Sequence, residues 1–282
     1  MIVRPMAESD RRAVIDLQDR YDTRWLGAPE RDEAEMAEAL DHAIATVVVL
    51  DGETLVGVAW SDPPRVTLTI DPDVAPQPVV EAVLPWLVDH QAHVDVFSED
   101  DALRTALSTK GFTHLQSSFD LMREAEGGWL AEPTWPAGVT ITDFDGAAPE
   151  QVHHLIYRDA EWASVPGHVE RDLENWLSVF VTERDLPEQQ VLAWRDGVLV
   201  GAATGRIFAD GSGWIAQLAV ARSQRRTGLG RALLLEGLRR RVAAGATTVG
   251  LGVQAENAGA IALYTGVGLR VVREWQVYAP RV

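Results

Sequence analysis

The chain contains no cysteine, one lysine and no long apolar run. Without cysteine there is no disulfide framework and no thiol nucleophile. Without 18 consecutive apolar residues the sequence offers no membrane-spanning helix. The first residues, MIVRPMAESDRRAV, carry acids and arginines where a secretory signal needs an apolar core, so a cytoplasmic protein is expected. Basic charge is scarce too: 25 Lys and Arg stand against 42 Asp and Glu, a net −17. That sign disfavours nucleic acid and anionic lipid as partners. The one lysine, Lys110, is followed by Gly111, which excludes a Walker A loop. HExxH, GxSxG and the protein-kinase set are absent. His168-Val169-Glu170 begins a zinc-deaminase pattern that no cysteine completes. His153 and His154 are adjacent on one predicted helix and face different sides, so no metal is expected.

What is present is a repeated grammar. LDGETLVGVAW (50–60) resembles WRDGVLVGAATG (194–205), each a strand, an Asp-Gly turn and a second strand. LRTALSTKGFTHLQSSFDLMRE (103–124) resembles AIALYTGVGLRVVREWQVYA (260–279), each a helix end, a glycine and an alternating strand. Gly57 matches Gly201 at an offset of 201 − 57 = 144, and Gly111 matches Gly268 at 268 − 111 = 157. Order and spacing together imply a duplication, with about 13 residues gained by the second copy between those landmarks. The Gly-, Pro- and Ala-rich stretch EAEGGWLAEPTWPAG (124–138) marks the boundary. The expected organisation is a domain over 1–124, a linker over 125–138 and a domain over 139–282.

Within the extra interval stands SQRRTGLGRALL (223–234). The apolar run WIAQLAV (214–220) precedes it, and Leu229, Leu233, Leu234, Leu238 and Val242 follow at helical spacing. Glycines and arginines between a strand and a helix N-terminus make an anion site, because the first N–H groups of the helix lack partners. A Rossmann fingerprint is excluded, since Leu233 replaces its third glycine. The first copy carries DPDVAPQP (71–78) at the corresponding place, where prolines remove donors and two aspartates repel an anion. One working anion site per chain is expected, in the second half.

Arg225-Arg226-Thr227-Gly228-Leu229-Gly230, placed after LAV and followed by NAGAIALY, resembles the pyrophosphate loop of the GNAT superfamily of acetyl-CoA-dependent N-acetyltransferases. The likeness covers roughly 139–279, with a degenerate copy over roughly 2–123. The pairing of a degenerate and an intact half is similar to the mycothiol-synthase-like tandem arrangement. The resemblance implies an α/β fold, an α+β mixed sheet in two tandem GNAT-like domains, the N-terminal one degenerate. It implies acetyl-CoA as cosubstrate, a small-molecule amine as acceptor, direct attack in a ternary complex, and a monomer or homodimer. Other acyl-CoA transfer, or a non-enzymatic CoA-binding sensor or scaffold, remain as alternatives.

The resemblance also assigns residues. Backbone N–H groups of 226–230, with Arg225, Arg226, Thr227 and Arg231 around them, would face the CoA pyrophosphate, and Gly228 and Gly230 would let it approach where a Cβ collides. Leu218, Ala219 and Val220 would act through their backbone, one N–H polarising the thioester carbonyl. Asn257 would cap the last helix and contact CoA. Tyr264, where the first copy has Leu107, would protonate the departing thiolate. The base for the acceptor is not readable; Glu161, His168 and Glu170 lie in the acceptor-lining region, with Trp162, Trp176 and Trp214 as walls and Gln217 as a polar group in the central strand.

Overall fold

The computed structural model describes residues 1–62, 65–144, 149–161, 170–180 and 187–281. Two compact units result: Met1–Phe119 with Gln254–Glu256 and Arg273–Val282, and Asp120–Val253 with Asn257–Val272.

The first unit contains β1 (Ile2–Pro5), α1 (Arg11–Leu26), α2 (Glu33–His42), β2 (Ala45–Asp51), β3 (Thr54–Asp62), β4 (Arg65–Ile70), α3 (Pro76–Asp89), β5 (His93–Phe97), α4 (Asp101–Thr109) and the start of β6 (Phe112–Glu124). Period-two patterning sets its core: Val66, Leu68 and Ile70 of β4 pack with Val79, Val80 and Val83 of α3. Val48, Val58 and Trp60 point the other way, against Val14, Leu17 and Met36 of α1 and α2.

The second unit repeats the order: β7 (Val139–Thr142), α5 (Pro149–His154) running into a π turn at Leu155–Asp159, α6 (Leu173–Phe180), β8 (Val191–Arg195), β9 (Val198–Ile207), β10 (Ser212–Val220), α7 (Leu229–Ala243), β11 (Thr248–Gln254), α8 (Ala258–Gly266) and the start of β12 (Arg270–Pro280). Asp196 and Gly197 both have positive φ, +50° and +77°, as the two-residue turn between β8 and β9 requires. Each unit is closed by the other half's last strand. Residues 273–280 of β12 add antiparallel to β5, with Trp275 opposite Phe97, and 120–124 of β6 adds beside β11. The Gly/Pro-rich stretch at 125–138 falls inside the second unit, where the Trp129 indole lies against Arg123 and donates to the Glu124 carbonyl.

The extra length of the second copy is spread out. Gly57 pairs with Ile70 and Gly201 with Val220, so the hairpins span 70 − 57 = 13 and 220 − 201 = 19 residues. The extended β9–β10 hairpin bulges between Ile215 and Gln217. Opposite that point Gly205 has φ +151°, and a Cβ there would stand 1.9 Å from the Trp214 carbonyl oxygen. Gln190 fixes the spot, accepting from the Gly205 N–H and donating to its carbonyl, both at 2.8 Å. Arg241 of α7 is fully buried beneath it and donates to the carbonyls of Trp214 (3.0 Å), Gln189 (3.2 Å) and Gly237 (2.8 Å). Gly205, Gly213 and Gly237 make its room: a Cβ at each would stand 2.8, 2.9 and 3.6 Å from the arginine side chain. The helical spacing read from the sequence placed the buried face of α7 correctly at Leu229, Leu233, Leu234 and Leu238, while Val242 is only half-buried, and the face is wider and includes this cation.

Gly205→Ala is therefore expected to destabilise the second unit by about 3 kcal/mol or more, through overpacking and an incompatible backbone. Urea unfolding followed by circular dichroism measures it; a loss below about 1 kcal/mol would show that the bulge relaxes freely.

Candidate active site

β10 and β11 run parallel and pair only from Ser212–Thr248 to Ile215–Leu251. β10 continues to Val220 and β11 to Gln254, while β10 stays paired with β9 through Val220–Gly201. β10 bulges against β9 just past that point, and the stretch holding Leu218, Ala219 and Val220 borders a gap between two strands. Backbone groups facing such a gap lack a ladder partner and can pair with an extended ligand.

At the end of β10 a short 3₁₀ turn (Arg222–Gln224) leads into the loop. Arg226 has φ +65° and Gly228 φ +91°, and Gly228 is the N-cap of the 15-residue α7. No side chain caps that helix. Its first N–H groups and the positive end of its dipole are available to an anion. The expected collision at the glycines is not with the protein. Nothing lies within 4 Å of a Cβ on Gly228, and the nearest atom to one on Gly230 is 3.6 Å away, an ordinary contact. Gly228 is required by its left-handed φ, and the space at its Cβ position is open.

The side chains of the loop divide. Leu229 is buried in the core, so its N–H alone faces the loop. The Thr227 hydroxyl donates to the Gln224 carbonyl at 2.7 Å, holding the turn. Arg231 donates to the Gly266 carbonyl at 3.1 Å and Leu263 lies 3.7 Å from the Cβ position of Gly230, so the end of α8 sits beside the start of α7. Arg226 makes no side-chain hydrogen bond or ion pair among the described residues. Arg225 is engaged: it donates to Glu161 at 2.9 Å and to the Ala160 carbonyl at 2.9 Å, while Arg222, which the sequence reading passed over, donates to the same carboxylate at 2.6 Å.

On the other side of the gap the Asn257 side chain accepts from Ala260 N–H at 3.1 Å and caps α8. Tyr264, one turn before the end of that helix, is 8% exposed, and its hydroxyl has no hydrogen-bond partner among the described residues. Burial pushes it up to about 12. It keeps its proton at neutral pH and can donate it, as a general acid must.

The acceptor-side residues fare differently. Hydrogen bonding from Arg222, then from Arg225, holds the Glu161 carboxyl below its ordinary value, which makes it a weak base tied to the arginines that flank the loop. Glu170 pairs with Arg158 at 2.8 Å. Trp176 is buried and donates to the Gln217 side-chain oxygen at 3.1 Å, which also accepts from Thr204 at 3.4 Å. Trp162 and His168 lie outside the described residues. His153 sits 2.7 Å from the Arg171 carbonyl and His154 3.5 Å from Asp159; among the described residues no cluster of three metal-ligating side chains exists.

In the first unit β4 and β5 also part early, after Val66–Val94. There the loop satisfies itself. The Asp71 carboxylate accepts from Asp73 N–H (3.0 Å) and pairs with Arg20 (2.7 Å), and Pro76 opens α3. At the place of Asn257, Asp100 caps α4 (2.9 Å), and at the place of Tyr264 stands the fully buried Leu107.

Comparison with known proteins follows this geometry. Residues 150–269 match the Acetyltransferase (GNAT) family. The mycothiol acetyltransferase of Streptomyces avermitilis is 31% identical over 178 residues, 59% of this chain and 54% of that protein, so the match spans about half of the relative's length. Among solved structures, a GCN5-related N-acetyltransferase from Sphaerobacter thermophilus is similar over 100% of this chain and 96% of its own, with TM-score 0.81 and 20% identity. A tandem GNAT protein from the clavulanic acid biosynthesis pathway is similar over 98% and 97%, with TM-score 0.76 and 16% identity. At those identities the two structures speak for the fold. No described helix is long and apolar enough to cross a membrane.

Spectrophotometric titration of phenolate absorbance tests the tyrosine. Wild type minus Tyr264→Phe should show one step near pH 12, well above the ordinary value of 10. A step near 10 would mean that the hydroxyl is open to water.

Proposed function

We propose, for a chain that belongs to the GNAT acetyltransferase family and carries two GNAT-like units in tandem, that the second unit transfers acetyl from acetyl-CoA to the primary amine of a small molecule. The observation that supports this best is the convergence of three features. A strand gap ends at an uncapped helix N-terminus, and an unpartnered tyrosine hydroxyl lies on the helix beside it.

The residues present fit the cosubstrate. N–H groups of 226–230 hold the pyrophosphate over the open space at Gly228, with Arg226 free to join them. The backbone of Leu218, Ala219 and Val220 pairs with the extended pantetheine arm, and an N–H of that stretch polarises the thioester carbonyl. Asn257 keeps the mouth of the gap rigid through its cap. Acetyl-CoA supplies the activated acyl carbon. The amine nitrogen of the acceptor bonds to that carbon and the carbon–sulfur bond breaks. The acceptor ammonium first loses a proton to water, which frees the lone pair that attacks; Tyr264 gives its proton to the departing sulfur, and the second proton shed by the nitrogen returns through water to Tyr264. The name of the streptomycete relative supports acetyl transfer; the acceptor is assigned here only as a small amine. The first unit, over 1–124 in the sequence reading with 125–138 as linker, serves as a scaffold, since its loop is occupied by Asp71 and it has Leu107 in place of the acid.

Calorimetric titration of acetyl-CoA into wild type should give one site per chain. Gly228→Glu, with a carboxylate forced into a left-handed position at the phosphate loop, should abolish it while the circular dichroism spectrum stays native. Two sites would assign binding to the first unit as well, and none would overturn the reading. Tyr264→Phe should bind acetyl-CoA normally and lose roughly 100-fold in turnover on an amine panel, the usual scale for a general acid. Equal turnover would remove the tyrosine from the chemistry. Tight binding with no turnover by wild type would favour a CoA sensor.

A further inference from the structure

Glu161 is the one carboxylate among the described residues that reaches the arginines of the phosphate loop. It takes Arg222 at 2.6 Å on one oxygen and Arg225 at 2.9 Å on the other. Its own backbone is strained: φ is +62°, a conformation that a non-glycine residue keeps only when something holds it. Arg226, on the facing loop, is strained in the same sense at φ +65°. Glu161 directly follows Ala160, whose carbonyl Arg225 also holds at 2.9 Å, so the arginines grip this segment by both side chain and backbone.

The contact is nevertheless breakable. The three side chains are 34% (Glu161), 76% (Arg222) and 46% (Arg225) exposed, and ion pairs so open to water are weak. A pyrophosphate carries two charges against the one of a carboxylate, and its oxygens match the guanidinium fork at least as well. An anion arriving at the start of α7 meets Arg226 without a partner, and Arg222 and Arg225 already committed.

We propose that Glu161 is an internal competitor for the loop arginines. It occupies Arg222 and Arg225 while the loop is empty, and it must yield them when the phosphates of CoA dock. The affinity for the cosubstrate is then set partly by a residue that never needs to touch it. The inference rests on the acetyl-CoA reading above and adds an affinity-determining residue to it. It also gives Glu161 a role distinct from that of a base.

The test is calorimetric titration of CoA at about 0.15 M salt, where charges more than about 8 Å apart are largely screened. Four proteins are compared: wild type, Glu161→Gln, Arg222→Gln and the double variant, each checked by its melting temperature. Glu161→Gln keeps the size of the side chain and removes its charge. It should bind CoA roughly two- to fivefold more tightly than wild type, the scale of an exposed ion pair. In the Arg222→Gln background the gain should shrink by at least half, because the competition has lost one of its two arginines. Unchanged or weaker binding by Glu161→Gln would overturn the proposal and make the carboxylate a support of the loop. An equal gain in both backgrounds would also overturn it, as an effect of net charge alone. Absence of CoA binding by wild type would overturn the acetyl-CoA reading and this inference with it. That failure is distinct, because the wild-type titration reports it before any variant is compared.

Discussion

The site depends on a ladder that stops early. Two parallel strands of ordinary length would pair to their ends and leave nothing between them. β10 and β11 pair over Ser212–Ile215 and no further, and β10 bulges against β9 just beyond, between Ile215 and Gln217. That bulge is over-determined. Gly205 tolerates the contact with the Trp214 carbonyl, Gln190 reads the Gly205 backbone from the side, and Arg241 collects the nearby carbonyls from below. A buried arginine is costly to desolvate, and here its donors find carbonyls of the bulged strand, of the turn before β8 and of its own helix. The polar interior next to the gap thus fixes the bulge. The phosphate loop and α8 come together just past it, tied by Arg231 to Gly266 and by Leu263 over Gly230.

Local features were legible in the sequence for local reasons. Alternating apolar residues and Asp-Gly turns mark the hairpins, and the spacing of Leu229, Leu233, Leu234 and Leu238 marks the buried side of α7. Asn257 reads as a cap and caps. Tyr264 stands out against Leu107 only because the two copies can be laid over each other. What escaped is non-local. Arg241 looks like part of a solvated face, and its burial needs glycines on β9, β10 and its own helix at once. Glu161 sits in the acceptor-side segment in sequence but pairs with arginines 61 and 64 residues away. The strand that closes each unit is chosen by the partner edges available, which no pattern within one strand specifies. Gly228 has a further reason that its motif does not spell out, the left-handed backbone angle at the start of α7.

The duplicated unit separates what the fold gives from what chemistry adds. β4 and β5 part early as β10 and β11 do, after two paired positions against four, so the gap comes with the topology. The difference lies in what lines it. In the first unit Asp71, held by Arg20, accepts the N–H of its own loop, prolines replace donors at the start of α3, and a leucine fills the place of the tyrosine. Each change removes a specific capacity, first for an anion and then for a proton, without disturbing the sheet. Asp71 at its loop and Glu161 at the other are both carboxylates held by arginine, but they differ in reach. Asp71 lies within the loop it satisfies, accepts that loop's own N–H and is largely covered, so it fixes the loop in place. Glu161 comes from a separate segment, reaches only side chains and stays exposed, leaving the N–H groups of α7 available. The same ionic chemistry holds one loop from within and grips the other only by its side chains.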